Sequence, residues 1–144
     1  MFAKLTCALA LGALSVILAG CGAQGDEYQP RPVPAEKSVV YIYRPYQVLG
    51  SSATPMVTCG HETIEMEPGG YYAFEQDIGP VTCTAASAEK VEYKFDARPG
   101  EQYFIREDVD TVTQGGHTHF KLMRADIATD EIKDCRRQGM KPGN

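Results

Sequence analysis

Apolar and polar residues alternate with a period of two along much of the chain after residue 37, which is typical of β-strands. Between Val39 and Tyr43 both alternating sets of residues are apolar. Because a strand with two apolar faces is buried inside a sheet, we expect this strand to be central. The cleanest alternation lies between Glu89 and Ala97, where charged residues should face outward. The residues of that strand expected to face inward are Val91, Tyr93 and Phe95.

Turn signals divide the rest of this region into further short strands. Glycine and proline occur together at 67–70, 77–80 and 98–100, where each cluster predicts a turn, and Gly-Ser-Ser at 50–52 predicts a loop. The remaining strands are predicted at 55–60, 61–66, 71–75, 81–85, 103–109 and 117–123. Seven or eight short strands of this kind predict an all-β fold, either an antiparallel β-sandwich, which we favour, or a partly open barrel.

A short helix is predicted near the C-terminus. Thr129 has the residue type of a helix cap, and the acidic pair Asp130 and Glu131 suits a first helical turn. Ile132 and Cys135 would then share one face of two to three turns. We expect this helix to lie on the sandwich or across one of its ends.

The N-terminal segment has the layout of an export signal. Lys4 precedes an uncharged run from Leu5 to Ala19, which is shorter than the roughly 20 apolar residues of a membrane-spanning helix. The run closes with Leu-Ala-Gly-Cys at 18–21, which resembles the lipobox of bacterial lipoproteins. The resemblance implies cleavage before Cys21, a thioether-linked diacylglyceryl group on its sulfur and acylation of the new amine. An ordinary secretory signal with an incidental cysteine and an uncleaved anchor helix are the alternatives.

The resemblance also gives the localisation and the expected partners. Residue 22 is Gly rather than Asp, which in enterobacterial sorting implies the periplasmic face of the outer membrane. The covalent lipid on Cys21 is then the membrane contact, and no other cofactor is expected. Removal of residues 1–20 leaves 124 of the 144 residues and takes the formal net charge from −5 to −6 through the loss of Lys4. This acidic balance argues against a nucleic-acid partner.

Residues 21–37 are interpreted as the lipidated cysteine and a proline-rich linker, and residues 38–144 as one domain. Pro30, Pro32 and Pro34 favour an extended chain, so the sixteen residues from 22 to 37 would act as a flexible tether reaching roughly 50 Å. A tail packed on the domain is the less favoured alternative.

Four stretches of residues 38–122 resemble a family of bacterial lipoproteins built on an uncharacterised domain, similar in layout to the immunoglobulin-like PEGA domain. The stretches are VVYIYRP at 39–45, GGYYAF at 69–74, GPVTCTA at 79–85 and RPGEQYFI at 98–105. The resemblance implies a small β-sandwich on the envelope and brings no catalytic residues.

Three cysteines remain after Cys21, which is an odd number for an oxidising compartment. Cys59 and Cys83 occupy similar Val-Thr-Cys settings and are the preferred disulfide pair, whereas pairing of Cys135 with either of them and three free thiols stay open. An unpaired Cys135 beside Arg136 and Arg137 is a candidate for a lowered pKa, but a half-buried cysteine of the helix is the favoured interpretation.

His117 and His119 would project from one strand face about 7 Å apart, with Thr118, Phe120 and Leu122 facing inward. Two such histidines chelate Zn²⁺ or Cu²⁺ when a third ligand approaches, and the candidates for this ligand are His61, Asp108 and Asp110. Two solvated surface histidines are the alternative, favoured by the cation of Lys121.

No catalytic motif stands out: the chain has no Gly-x-Ser-x-Gly elbow, phosphate loop or HExxH. We therefore predict a non-enzymatic accessory module that binds an envelope protein, with Tyr46 as the candidate partner contact. Its expected binding face combines residues 46–54 with the loop at Gln114, Gly115 and Gly116. The hypothesis from a different class is a metal-binding or redox-linked envelope protein that uses the surface histidines and free cysteines.

Overall fold

The computed structural model describes residues 22–86, 89–110 and 117–139. Within these ranges the chain forms nine strands in two sheets and one short helix, which confirms the all-β sandwich with a C-terminal helix. The elements are β1 (Lys37–Tyr43), β2 (Met56–Cys59), β3 (Glu62–Glu65), β4 (Gly70–Asp77), β5 (Gly79–Ala86), β6 (Val91–Ala97), β7 (Gln102–Asp110), β8 (His117–Met123), α1 (Ala125–Ile132) and β9 (Arg136–Arg137).

The larger sheet has the strand order β8-β7-β1-β4-β9, and the smaller has the order β3-β2-β5-β6. β1 lies in the middle of the larger sheet, as its two apolar faces predicted. It pairs antiparallel with β4 and parallel with β7, so that Tyr41 lies between Ala73 and Phe104. The sandwich is therefore mostly antiparallel, with parallel pairs at β1–β7 and β4–β9.

The main core lies between the two sheets. Val40 and Ile42 of β1 enter it from the larger sheet, and Val57 and Val81 enter it from the smaller one. The alternation predicted for β6 is confirmed, since its apolar residues are half-buried against this core while its charged residues are exposed. Leu122 was expected to face inward but is 41% exposed, because β8 is an edge strand with few neighbours to cover it.

A second layer covers the outer face of the larger sheet, and this corrects the flexible-tether interpretation of residues 22–36. The Tyr28 ring packs edge-on against Tyr41 and Tyr71, with ring centroids 5.8 and 5.7 Å apart. The Arg31 amide donates to the Tyr41 hydroxyl at 2.8 Å, and Val33 joins the same apolar cluster. The segment lies on the domain because the outer face of β1 is apolar and requires a cover.

The helix begins earlier than predicted. α1 starts after Arg124, which provides no side-chain cap, and Thr129 lies inside the helix rather than at its start. The Thr129 hydroxyl donates to the Ala125 carbonyl one turn back, a bond that satisfies threonine within a helix. Cys135 follows the helix instead of belonging to it, and the chain then pairs with β4 as β9.

Candidate functional site

The most exposed apolar side chains of the described residues gather in the loop that follows β1. We call residues 45–54 the β1–β2 loop. Tyr46, Val48 and Leu49 are 59%, 80% and 76% exposed in it. The structure thus places Tyr46 on the surface, as the sequence predicted, together with two aliphatic neighbours that the sequence analysis did not single out.

A buried cation holds this loop in one conformation. The Arg44 side chain lies beneath the loop and is 4% exposed. Its guanidinium donates to the carbonyl oxygens of Gly50 at 2.6 Å, Ala53 at 2.6 Å and Met66 at 3.2 Å. Charge-assisted hydrogen bonds of this kind are roughly twice as strong as neutral ones. The exposed apolar side chains are therefore displayed by an ordered backbone.

The start of the described chain lies beside the same loop. The Ala23 amide donates to the Pro68 carbonyl at 3.2 Å, which fixes the chain next to the turn before β4. A Cβ atom built on Gly22 would lie 3.9 Å from Cδ2 of Tyr46. Cys21, the predicted lipidation site, and the predicted signal peptide lie outside the described residues.

An open groove of about 640 Å³ runs between the β1–β2 loop and the β7–β8 face, with Gln47 and His119 among its lining residues. Its charged groups are paired: Arg106 donates to Asp108 at 2.8 Å and to Glu131 of α1 at 2.6 Å. These bonds neutralise the Arg106 cation within the groove, whose lining also includes the apolar side chains of Leu49 and Val109.

The metal hypothesis gains no support from the arrangement of its residues. Asp108 lies opposite His119 and Asp110 opposite His117, so these four do share one face. His61 lies on the other sheet, exposed in the β2–β3 turn and edge-on to Phe74. Among the described residues, no group of three or more histidine, cysteine or acidic side chains is placed to hold a metal ion.

The cysteines divide into a bonded pair and one buried thiol. Cys59 and Cys83 face each other across β2 and β5 and form a disulfide, which confirms the preferred pairing. Cys135 is free and 1% exposed. Burial raises the pKa of its thiol to about 12, with Asp134 and Glu131 adding to the effect. The lowered pKa considered for an unpaired Cys135 is therefore not found, because burial outweighs the opposing charges of Arg106 and Arg136. The favoured interpretation, a buried cysteine without redox activation, agrees with the structure, although Cys135 is more deeply buried than predicted and follows the helix.

Sequence reasoning missed a buried carboxyl. Glu107 shares the inward face of β7 with Ile105 and is fully buried, and neither carboxyl oxygen has a hydrogen-bond partner among the described residues. Burial raises its pKa to about 8; the Arg44 cation opposes this shift, and Asp108 adds to it. The Thr118 hydroxyl, diagonal to Glu107 on the same face, likewise has no partner in the described ranges. The signal was present in the Tyr-x-Ile-x-Glu-x-Val alternation of 103–109.

The chain matches no protein-family model, and no curated protein is significantly similar to it. The lipoprotein resemblance and the PEGA-like layout stay predictions. In the ranges that the structure covers, no helix has the length and apolarity that crossing a membrane requires. The glycine loop at 114–116, predicted as part of the binding face, lies outside the described residues.

Proposed function

We propose that the chain is a non-enzymatic accessory lipoprotein of the bacterial envelope, anchored through a lipidated Cys21 on the periplasmic face of the outer membrane. The observation that carries the proposal is the lipobox-like Leu-Ala-Gly-Cys sequence at 18–21. The residue that follows it, Gly22, lies on the surface of the domain. One acyl chain holds a protein only marginally, whereas two or more hold it stably. The lipid must supply the attachment, since a mature domain of charge −6 is not drawn to anionic membranes.

The side chains of the described domain support binding rather than catalysis. The Arg106 cation is shared between two carboxylates, and burial raises the pKa of the Cys135 thiol. In contrast, the β1–β2 loop presents ordered apolar side chains to its surroundings. We propose that the domain acts by presenting surfaces to other components of the envelope, an envelope protein among them.

Cell fractionation of a Cys21→Ser variant tests the anchor. Cys7→Ser is the matched control, because Cys7 is the other cysteine of the same N-terminal segment and lies outside the lipobox. We expect the Cys21→Ser protein to take up no lipid label and to be lost from the membrane fraction. The Cys7→Ser protein should carry lipid and stay in the membrane fraction. Equal lipid labelling and equal membrane retention of the two variants would contradict the proposal.

A further inference from the structure

We propose that Tyr46, Val48 and Leu49 of the β1–β2 loop insert into the headgroup region of the same bilayer that holds Cys21. The domain then contacts the membrane at two adjacent points, one covalent and one apolar. The inference rests on the proposed lipid anchor and deepens it, since it assigns the exposed loop to the lipid surface rather than to a protein partner.

Chain connectivity places the loop near the anchor. The Cα atoms of Cys21 and Gly22 are separated by one peptide unit, about 3.8 Å. Gly22 lies near the Tyr46 ring, since a Cβ atom built on it would be 3.9 Å from Cδ2 of Tyr46, and the Ala23 amide donates to the Pro68 carbonyl. The four residues from Tyr46 to Leu49 are joined by three Cα–Cα steps, which span at most about 11 Å. A lipid on Cys21 therefore brings the bilayer surface within reach of all three side chains.

The residues of the loop suit a membrane interface. Leucine and valine favour the acyl boundary, and tyrosine is enriched where the apolar and aqueous phases meet. These side chains are already exposed in the described structure. Because Arg44 fixes the loop backbone through Gly50 and Ala53, insertion does not require the loop to be ordered first.

The position of the anchor favours lipid over a protein as the occupant. Any protein that covers Tyr46 must share this space with the acylated residue that precedes Gly22. The bilayer meets the loop without such competition. Since the mature domain is acidic, attraction to charged headgroups does not drive the contact, and the insertion should be insensitive to salt.

Fluorescence quenching in vesicles tests the proposal on the full mature lipoprotein. Val48→Cys carries an environment-sensitive nitrobenzoxadiazole label, and the vesicles of phosphatidylethanolamine and phosphatidylglycerol contain a lipid with a nitroxide on its acyl chain. Ile78→Cys is the matched control, because Ile78 is 57% exposed and follows Asp77 at the other end of β4. At the usual strand rise of about 3.4 Å per residue, the two ends of β4 lie about 24 Å apart. The native Cys135 thiol is buried and stays unlabelled.

We expect the label at position 48 to be quenched several-fold more than the label at position 78, equally at low and high salt. Leu49→Asp should reduce the quenching at position 48 towards the control level, whereas Ile78→Asp should leave it unchanged. Equal quenching at both positions, in protein that floats with the vesicles and carries lipid by intact mass, would overturn the docking but leave the anchor standing. Protein that neither floats nor carries lipid would overturn both. A change in the environment of the label at position 48 that appears only after envelope proteins are added, and not with vesicles alone, would overturn the docking and assign the loop to a protein partner.

Discussion

The buried guanidinium of Arg44 donates a 2.6 Å hydrogen bond to the carbonyl of Gly50, near the middle of the β1–β2 loop. Arg44 belongs to the segment directly after the central strand, so the bond ties the exposed loop to the most buried part of the sheet. Two further bonds, to Ala53 and Met66, complete the set. The loop is thus part of the folded core's hydrogen-bond network although its side chains lie in solvent.

Arg44→Met should destabilise the domain by about 3 kcal/mol, because two buried carbonyls and one partly buried carbonyl lose a charged donor. Denaturant unfolding measures the change. Arg124→Met is the control: the Arg124 side chain is exposed and pairs only with Asp126 in the contacts seen here, so its loss should cost less than about 1 kcal/mol. Similar stabilities for the two variants would show that Arg44 does not hold the loop.

Glu107 should make stability fall as the pH rises. Its folded pKa of about 8 lies above the ordinary value, so the folded state favours the protonated form. That contribution is complete below the ordinary carboxyl pKa and is lost progressively as the pH rises from there through 8, a loss on the order of 4 kcal/mol between pH 5 and pH 9. Unfolding curves across this range measure it. Glu107→Gln should flatten the dependence, whereas exposed Glu36→Gln should not; a wild-type stability that rises from pH 5 to pH 9 would refute the assignment.

The disulfide should stabilise the domain by about 3 kcal/mol, since it closes a loop with a sequence separation of 24 residues. Substitution of both Cys59 and Cys83 by alanine should cost this amount in an unfolding experiment. Thiol counting with a thiol-specific reagent gives an independent check. The native protein should have no reactive thiol, and the unfolded oxidised protein should react only at Cys135. The unfolded, reduced protein should react at all three cysteines of the domain. A fast-reacting thiol in the native protein would contradict the buried state of Cys135.

Tyr28→Ala should destabilise the domain by about 2 kcal/mol, because the ring packs edge-on against two buried tyrosines of the larger sheet. Tyr46→Ala is the matched control and should change stability by less than about 0.5 kcal/mol, since its ring is mostly exposed. Limited proteolysis near Pro30 should also become faster in Tyr28→Ala. Equal stability of the two variants would restore the flexible-tether interpretation.

The fold was predictable where a residue's environment is set by its local pattern. The two apolar faces of β1 indicated a central strand, and the alternation of β6 fixed which side chains face inward. The parallel pairing of Val39 with Gln102 was not predictable in this way, because it depends on how distant strands are ordered in the sheet. Thr129 misled because threonine suits two positions: at a helix cap its oxygen accepts from a backbone N–H, whereas here, inside the helix, its hydroxyl donates to the Ala125 carbonyl.

The candidate site was predictable only in part. Tyr46 was recognisable as a loop aromatic, but the role of Arg44 depends on carbonyls contributed by the loop and by the segment after β3. The position of Gly22 was not predictable from the prolines, which favour an extended chain, because the N-terminal segment is held by the packing of Tyr28 on Tyr41 and Tyr71 of two different strands. The outer face of β1, with its buried tyrosines, already required a cover that the N-terminal segment provides.

Intact-mass measurement of the protein extracted from membranes tests the lipid anchor most directly. The account predicts a chain that begins at Cys21 and carries the added mass of a diacylglyceryl group, with a further acyl chain on its amine. A chain that still begins at Met1, or one cleaved before Cys21 without any lipid, would contradict it.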